Sequence, residues 1–131
     1  MKIDGITLRE IQMPLVHFFE TSFGRTTERR ILLVTVHSDG VEGWGEAAPS
    51  RFYGETTESV IAALEPLSGV VERANAWSLE AVEREMNKTI RFNASAKSAV
   101  SAALHDLVAK RLGVPLYRML GLDPADAPTS S

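Results

Sequence analysis

The first half of the chain alternates apolar and polar residues with the two-residue period of β-strands. Residues 2–13 intersperse isoleucine, leucine and methionine with polar side chains, and residues 29–37 are rich in aliphatic and β-branched ones. An Asp39-Gly40 pair, which suits a tight hairpin, separates this second run from a third at residues 41–47. The pattern predicts a three-stranded antiparallel meander.

The second half of the chain repeats its apolar residues at helical spacing. We expect helices that begin at Thr56 or Thr57, after Ser78, at Asn93 or Ser95, and at Pro115. Pro66 is expected to bend or end the first helix, because proline lacks the N–H group that a helix interior requires. Strands followed by helices indicate an α+β fold.

The third predicted helix combines an apolar stripe with many small side chains. The stripe consists of Val100, Leu104, Leu107 and Val108, which gives the helix a core face. The small residues are Ser95, Ala96, Ser98, Ala99, Ser101, Ala102 and Ala103, and they allow another backbone to approach closely. Gly43 and Gly45 indicate a close approach at the third strand as well. Gly113 suits the left-handed position that follows a helix.

Two segments, residues 17–28 and 48–55, fit neither period and are predicted to be irregular loops. Both lie at strand ends, so we expect them at one end of the sheet. Aromatic side chains on such loops line a ligand pocket or pack against a partner, although core packing explains them equally well. An arginine there can clamp a carboxylate. The candidate substrate-binding residues are Phe19, Thr21, Ser22, Phe23, Arg25, Arg51, Phe52 and Tyr53.

Composition narrows the function classes. The net charge of −3 argues against a general nucleic-acid binder, which needs a basic face. The absence of cysteine excludes disulfides and thiolate metal sites. No run of residues has the length and apolarity of a membrane span, and residues 1–16 do not resemble a signal peptide, so we expect a cytoplasmic protein.

The sequence contains no set of residues with the spacing of a catalytic or metal-binding site. His17, His37 and His105 lack metal-ligand spacing, and each is better explained as a surface or half-buried residue. The segment GWGEA at residues 43–47 lacks the spacing of a phosphate-binding loop. We therefore predict no catalytic residue and no metal ligand in this chain.

Three charged residues are also better explained by structural than by functional roles. Glu46 lies within a strand, where ion pairing is favoured over acid–base catalysis. Asp106 is interpreted as a solvated position on its helix rather than part of an interdomain ion pair. Lys97 is expected to extend toward water rather than to meet an acidic group on a neighbouring domain.

Five motifs in order carry a resemblance to a known family: MPLVHFFETSFG, ERRILLVTV, GWGEAAP, YGET and SAKSAVSAALHDLVAKRLGVPLYRMLG. Across residues 1–122 the chain resembles the N-terminal capping domain of the enolase superfamily, within its muconate lactonizing enzyme subgroup. The resemblance implies that residues 123–131 are a linker toward a (β/α)7β barrel, whose mouth the cap covers. It also implies that residues 17–27 and 48–55 close over the substrate. The catalytic lysines and the carboxylates that bind Mg²⁺ would lie on the barrel.

Within that subgroup the second loop, GEAAPSRFYGET, is similar to dipeptide epimerases of the L-Ala-D/L-Glu type. The first loop, FETSFG, is also similar to N-acylamino acid racemases and o-succinylbenzoate synthases. In this family Mg²⁺ stabilises an enediolate while lysines move the proton next to the carboxylate. Gly24, with Arg25 beside it, stands where certain Ala-Glu epimerases have a substrate-binding arginine, which leaves a different or hydrophobic dipeptide open.

The implied partners are the chain's own barrel domain, a dipeptide or N-acyl amino acid substrate, and further copies in a homo-oligomer. A second hypothesis remains open: an independent α+β binding or dimerisation module that docks through the small-residue face of its third helix.

Overall fold

A computed structural model describes residues 1–22 and 24–129. The strands are β1 (Gly5–Thr21), β2 (Gly24–Ser38) and β3 (Val41–Ala47), and they form one antiparallel sheet in the order β1-β2-β3. The helices are α1 (Thr57–Arg73), α2 (Leu79–Thr89), α3 (Ala94–Leu112) and α4 (Leu116–Met119), with short 3₁₀ turns at Arg51–Tyr53 and Pro124–Asp126. The predicted meander followed by helices is confirmed. None of the helices in the described ranges is long and apolar enough to cross a bilayer.

The core lies between the sheet and the helices, and α3 is its central element. Leu32, Val34 and Val36 of β2 are completely buried. The predicted stripe of α3 is buried throughout, so its assignment as a core face is confirmed. Helices α1 and α2 pack against α3 and complete the apolar cluster.

The two glycines of β3 allow α3 to lie directly on that strand. A Cβ atom at Gly43 would collide with the carbonyl oxygen of Ala103, and one at Gly45 would collide with that of Ala99. The close approach predicted from the glycines of the strand and from the small residues of the helix is therefore confirmed, and the two elements are each other's neighbours.

Polar side chains of α3 form hydrogen bonds with backbone groups at the free edge of β3. The backbone N–H of Trp44 donates to Oδ2 of Asp106 at 2.9 Å, and Nζ of Lys110 donates to the carbonyl oxygen of Glu42 at 2.8 Å. Lys110 also pairs with Asp106 at 2.6 Å. The interpretation of Asp106 as a solvated helix-face residue is thus wrong, because its carboxylate accepts a strand N–H that would otherwise lack a partner.

The prediction of an irregular loop at residues 17–28 is also wrong, because β1 and β2 continue to Thr21 and Gly24 as a long hairpin. The register shifts between the pairs Pro14–Glu28 and Phe19–Thr26, so three extra residues of β1 are accommodated as an irregularity. Strand β1 lies at the edge of the sheet, where proline is tolerated, so it continues through Pro14 and beyond the predicted run of residues 2–13.

Helix α1 continues through Pro66 to Arg73, so of the two expected effects, a bend or an end of the helix, the end is wrong. Pro66 lies on the exposed side of the helix, where water can hydrate the carbonyl group that loses its partner. Beyond it, Leu67 and Val71 are completely buried, and their packing holds the second half of the helix.

The other predicted helix boundaries agree with the structure to within one residue, although the side chain of Ser78 makes no capping hydrogen bond to α2. Thr56 begins α1 with a reciprocal capping box to Ser59. Gly113 follows α3 with φ of 69°, in the left-handed region. Helix α4 begins directly after Pro115.

Candidate functional site

The distal end of the β1–β2 hairpin carries a basic and aromatic surface. The guanidinium carbon of Arg25 lies 3.9 Å from the centroid of the Phe18 ring, within the range of a cation–π contact. Arg25 also lies 3.6 Å from Glu20, and Arg29 lies 5.5 Å from the ring centroid of Phe19. Both phenylalanines are about half exposed.

The second loop is a compact turn that presents two aromatic rings. The N–H groups of Tyr53 and Glu55 both donate to the carbonyl oxygen of Ser50, at 3.0 and 3.1 Å. The rings of Phe52 and Tyr53 meet edge to face with centroids 5.1 Å apart. These residues are 71% and 76% exposed, so core packing does not explain them.

Glu58 at the start of α1 lies within electrostatic reach of β2 and of the second loop. Arg30, in the middle of β2, pairs with Glu10 and lies 3.7 Å from Glu58. The pKa of Glu58 lies below its ordinary value because its carboxylate accepts hydrogen bonds from its own N–H and from Thr56, with smaller contributions from the charges of Arg30 and Arg51. The pKa of Arg30 is raised, chiefly by its hydrogen bond to Glu10.

Three further candidate residues, Thr21, Ser22 and Arg51, lie on the same exposed segments. The hydroxyl of Thr21 donates to the carbonyl oxygen of Gly24 at 3.5 Å, Ser22 is an exposed turn residue, and Arg51 is exposed on the second loop. Phe23 lies outside the described residues. Phe18 was missed as a candidate, although a phenylalanine on a strand that pairs with an arginine-bearing strand is a signal for such a contact.

The best-defined grooves among residues 1–22 and 24–129 lie elsewhere. One of about 170 Å³ between α2 and α3 is lined by Glu83, Met86 and Lys97, and a larger one of about 430 Å³ lies between α1 and α2. Lys97 donates to Oδ1 of Asn87 at 3.0 Å rather than extending freely into water. The candidate binding residues therefore form an open surface that another surface must cover to enclose a small ligand.

No metal centre is found in the part of the chain that the structure describes, since no three histidine, aspartate or glutamate side chains converge there. His37 hydrogen-bonds to Thr7 at 2.8 Å and faces Glu42 at 3.4 Å, and His105 bonds to the backbone of Ser101 at 2.8 Å. The structural interpretation of these two histidines is confirmed. The described residues thus do not fit a Mg²⁺ ion.

Comparison with known proteins gives consistent matches over nearly the whole chain. The sequence model of the mandelate racemase/muconate lactonizing enzyme N-terminal domain matches residues 4–121. An N-succinylamino acid racemase of Thermus thermophilus is 39% identical over 124 residues, which cover 92% of this chain and 34% of that protein. An L-Ala-D/L-Glu epimerase of Bacteroides thetaiotaomicron is 32% identical over 127 residues, covering 96% and 33%.

A solved structure is similar as well. The dipeptide epimerase of Enterococcus faecalis, in complex with Mg and the dipeptide L-Leu-L-Tyr, superposes with a TM-score of 0.87 at 27% identity. The match covers 92% of this chain and 34% of that one. The chain thus spans about a third of the length of the curated relatives that it matches.

Proposed function

The chain belongs to the mandelate racemase/muconate lactonizing enzyme family of the enolase superfamily, as its N-terminal domain, and from this premise we propose that it is the substrate-specificity cap of a dipeptide epimerase. The reaction is a 1,1-proton transfer at the carbon next to a carboxylate. The observation that carries the proposal is the pair of exposed aromatic segments, the hairpin end and the turn at Ser50–Glu55. Such side chains recognise a substrate when a second surface encloses them.

The chemistry of these residues suits substrate recognition rather than proton transfer. The hairpin end and the turn offer aromatic rings and arginines, which bind apolar groups and carboxylates. They offer no cluster of acidic ligands in the described ranges. We assign Mg²⁺, whose chemistry in this family is to stabilise the enediolate, and the proton-transferring lysines to a barrel domain of the same protein. The cap contributes recognition of the side chain and exclusion of water.

The exposed aromatic rings of the two segments favour an apolar dipeptide. Arg25 already has two neighbours within the hairpin, since it faces Glu20 and lies over Phe18. The rings of Phe52 and Tyr53 add exposed apolar surface on the second loop. The solved relative that binds L-Leu-L-Tyr shows that a protein of this family recognises such a substrate.

A racemase of N-acylamino acids is the second candidate function. The similarity to an N-succinylamino acid racemase favours it, and it needs the same proton transfer next to a carboxylate. The two functions differ in the group that is attached to the amino nitrogen of the substrate, an aminoacyl or an acyl group.

The test uses the full-length protein that contains this chain. A panel of dipeptides and N-succinylamino acids is incubated with Mg²⁺ in D₂O, and exchange of the α-proton is followed by ¹H NMR. We expect exchange with apolar dipeptides to be the fastest. Faster exchange with N-succinylamino acids would instead favour the second candidate, and no exchange with any member would contradict both.

A Phe52→Ala variant tests whether the turn contacts the substrate. Phe92→Ala is the control, because Phe92 is an exposed phenylalanine outside both segments. Loss of one apolar contact costs about tenfold or more in kcat/KM, so Phe52→Ala should show this loss with large side chains and not with small ones. An unchanged ratio of kcat/KM between large and small substrates would show that the turn does not contact the substrate.

A further inference from the structure

Glu55 is a buried acidic residue in an otherwise exposed turn. The structure describes all of residues 48–56, and within them Glu55 is the one buried residue, with 8% of its surface exposed. Acidic side chains are rarely buried unless hydrogen bonds or charges compensate them. Specific hydrogen bonds must therefore compensate the burial of the Glu55 carboxylate.

Its partner lies 40 positions further along the chain, at the beginning of α3. Oε1 of Glu55 accepts the backbone N–H of Ser95 at 3.1 Å, and Oε2 accepts the hydroxyl of Ser95 at 2.5 Å. Asn93 precedes α3 with left-handed backbone angles, and its side chain donates to the carbonyl oxygen of Arg91 instead of capping the helix. Glu55 thus supplies the acceptor that the start of this helix lacks, and its negative charge suits the helix dipole.

The backbone of the same residue closes the turn. The N–H of Glu55 donates to the carbonyl oxygen of Ser50 at 3.1 Å, and Thr56 next to it begins α1. The turn that presents Phe52 and Tyr53 is therefore attached to α3 through one buried carboxylate.

We propose that Glu55 is a positioning residue for substrate recognition, whose carboxylate holds the turn against α3 so that Phe52 and Tyr53 are in place before the substrate binds. The inference rests on the proposed function. A turn that is ordered before binding loses less conformational entropy when the substrate binds, so the affinity for the substrate is higher.

The experiment compares Glu55→Ala and Glu55→Gln in the full-length protein, with Glu65→Ala of α1 as a matched exposed control. Hydrogen exchange of the amides at residues 51–55 should be about tenfold faster in Glu55→Ala and unchanged in the control. The KM for the preferred substrate should rise about tenfold, with kcat changed by less than about threefold. Glutamine keeps the length and an acceptor oxygen, so Glu55→Gln should restore part of both losses.

Unchanged exchange in Glu55→Ala would overturn the inference, because other contacts would then hold the turn. Faster exchange with an unchanged KM would overturn it as well, since the order of the turn would not matter to the substrate. If Glu55→Ala does not fold, Ser95→Ala removes the hydroxyl bond alone and should give a smaller change in the same direction. A wild-type protein without activity on the panel would contradict the proposed function, and the exchange measurement does not depend on that outcome.

Discussion

Single residues decide how closely the sheet and α3 approach. Gly43 and Gly45 lie where a side chain would enter the backbone of the helix, and Trp44 between them points to the other face and is about half exposed. The alternation places a hydrogen atom rather than a methyl group at each inward position. This is why two glycines in a strand, normally unfavourable, stabilise this fold.

Gly45→Ala should therefore weaken the packing of β3 on α3. The new Cβ would overlap the carbonyl oxygen of Ala99 and lie 2.9 Å from the nitrogen of Ala103, and these backbone atoms cannot move without displacing the helix. We expect a loss of about 3 kcal/mol, equivalent to about a hundredfold faster hydrogen exchange of the β3 amides in the full-length protein.

The matched control is Gly5→Ala, because no atom lies within 4 Å of a Cβ built at Gly5. Its effect should stay within about 0.5 kcal/mol. Equal exchange rates in the two variants would contradict the argument from close approach.

At the scale of the element, the stability of the first turn of α1 depends partly on arginines near the candidate site. Thr56 and Ser59 cap the helix reciprocally, and Glu58 lies in the first turn, where a negative charge is favourable. Arg30 and Arg51 act on the same carboxylate from the hairpin and from the second loop.

The lowered pKa of Glu58 predicts a pH dependence with a definite sign. Its ordinary value is 4.5, and the folded value is lower, so the ionised group favours the folded state. The contribution is complete above pH 4.5 and is lost as the pH falls through the lowered value. Glu58→Gln should therefore be less stable than the parent at neutral pH and approach it in acid.

The measurement is the thermal midpoint of the full-length protein and of Glu58→Gln between neutral and acidic pH. Glu65→Gln removes an exposed charge from the same helix and serves as the control. A difference between parent and Glu58→Gln that stays constant over the whole range would show that the ionisation of Glu58 is not coupled to folding.

At the scale of the whole molecule, exposed apolar side chains collect beyond the end of α3. Leu112, Leu120 and Leu122 are all more than half exposed, and Tyr117 is exposed to 38%. Together with Phe52 and Tyr53, they give the chain apolar surface of the kind that another domain normally covers.

The 131-residue polypeptide alone should therefore associate in solution, whereas a polypeptide that also contains the proposed barrel domain should be monodisperse. Sedimentation velocity over a range of concentrations measures this difference. A monodisperse, stable 131-residue chain would instead support the independent binding module, the second hypothesis that the sequence leaves open.

Much of the fold follows from local pattern. The three strands, the starts of the four helices, the left-handed Gly113 and the buried stripe of α3 depend on period and capping chemistry within a few residues of each position. The exposed aromatic candidates were also identifiable, because Phe19, Phe52 and Tyr53 fit no apolar period. Whether these residues contact a substrate stays a prediction.

The sequence by itself thus determined the order and type of the elements, because neighbouring residues carry those signals. Tertiary structure decided the rest. The hairpin continues past Pro14 because β1 lies at an edge, and α1 continues through Pro66 because Leu67 and Val71 are buried beyond it. Asp106 meets β3, and Glu55 meets Ser95, across separations that no local period encodes. Such partners are brought together only when the packed core places distant backbones side by side.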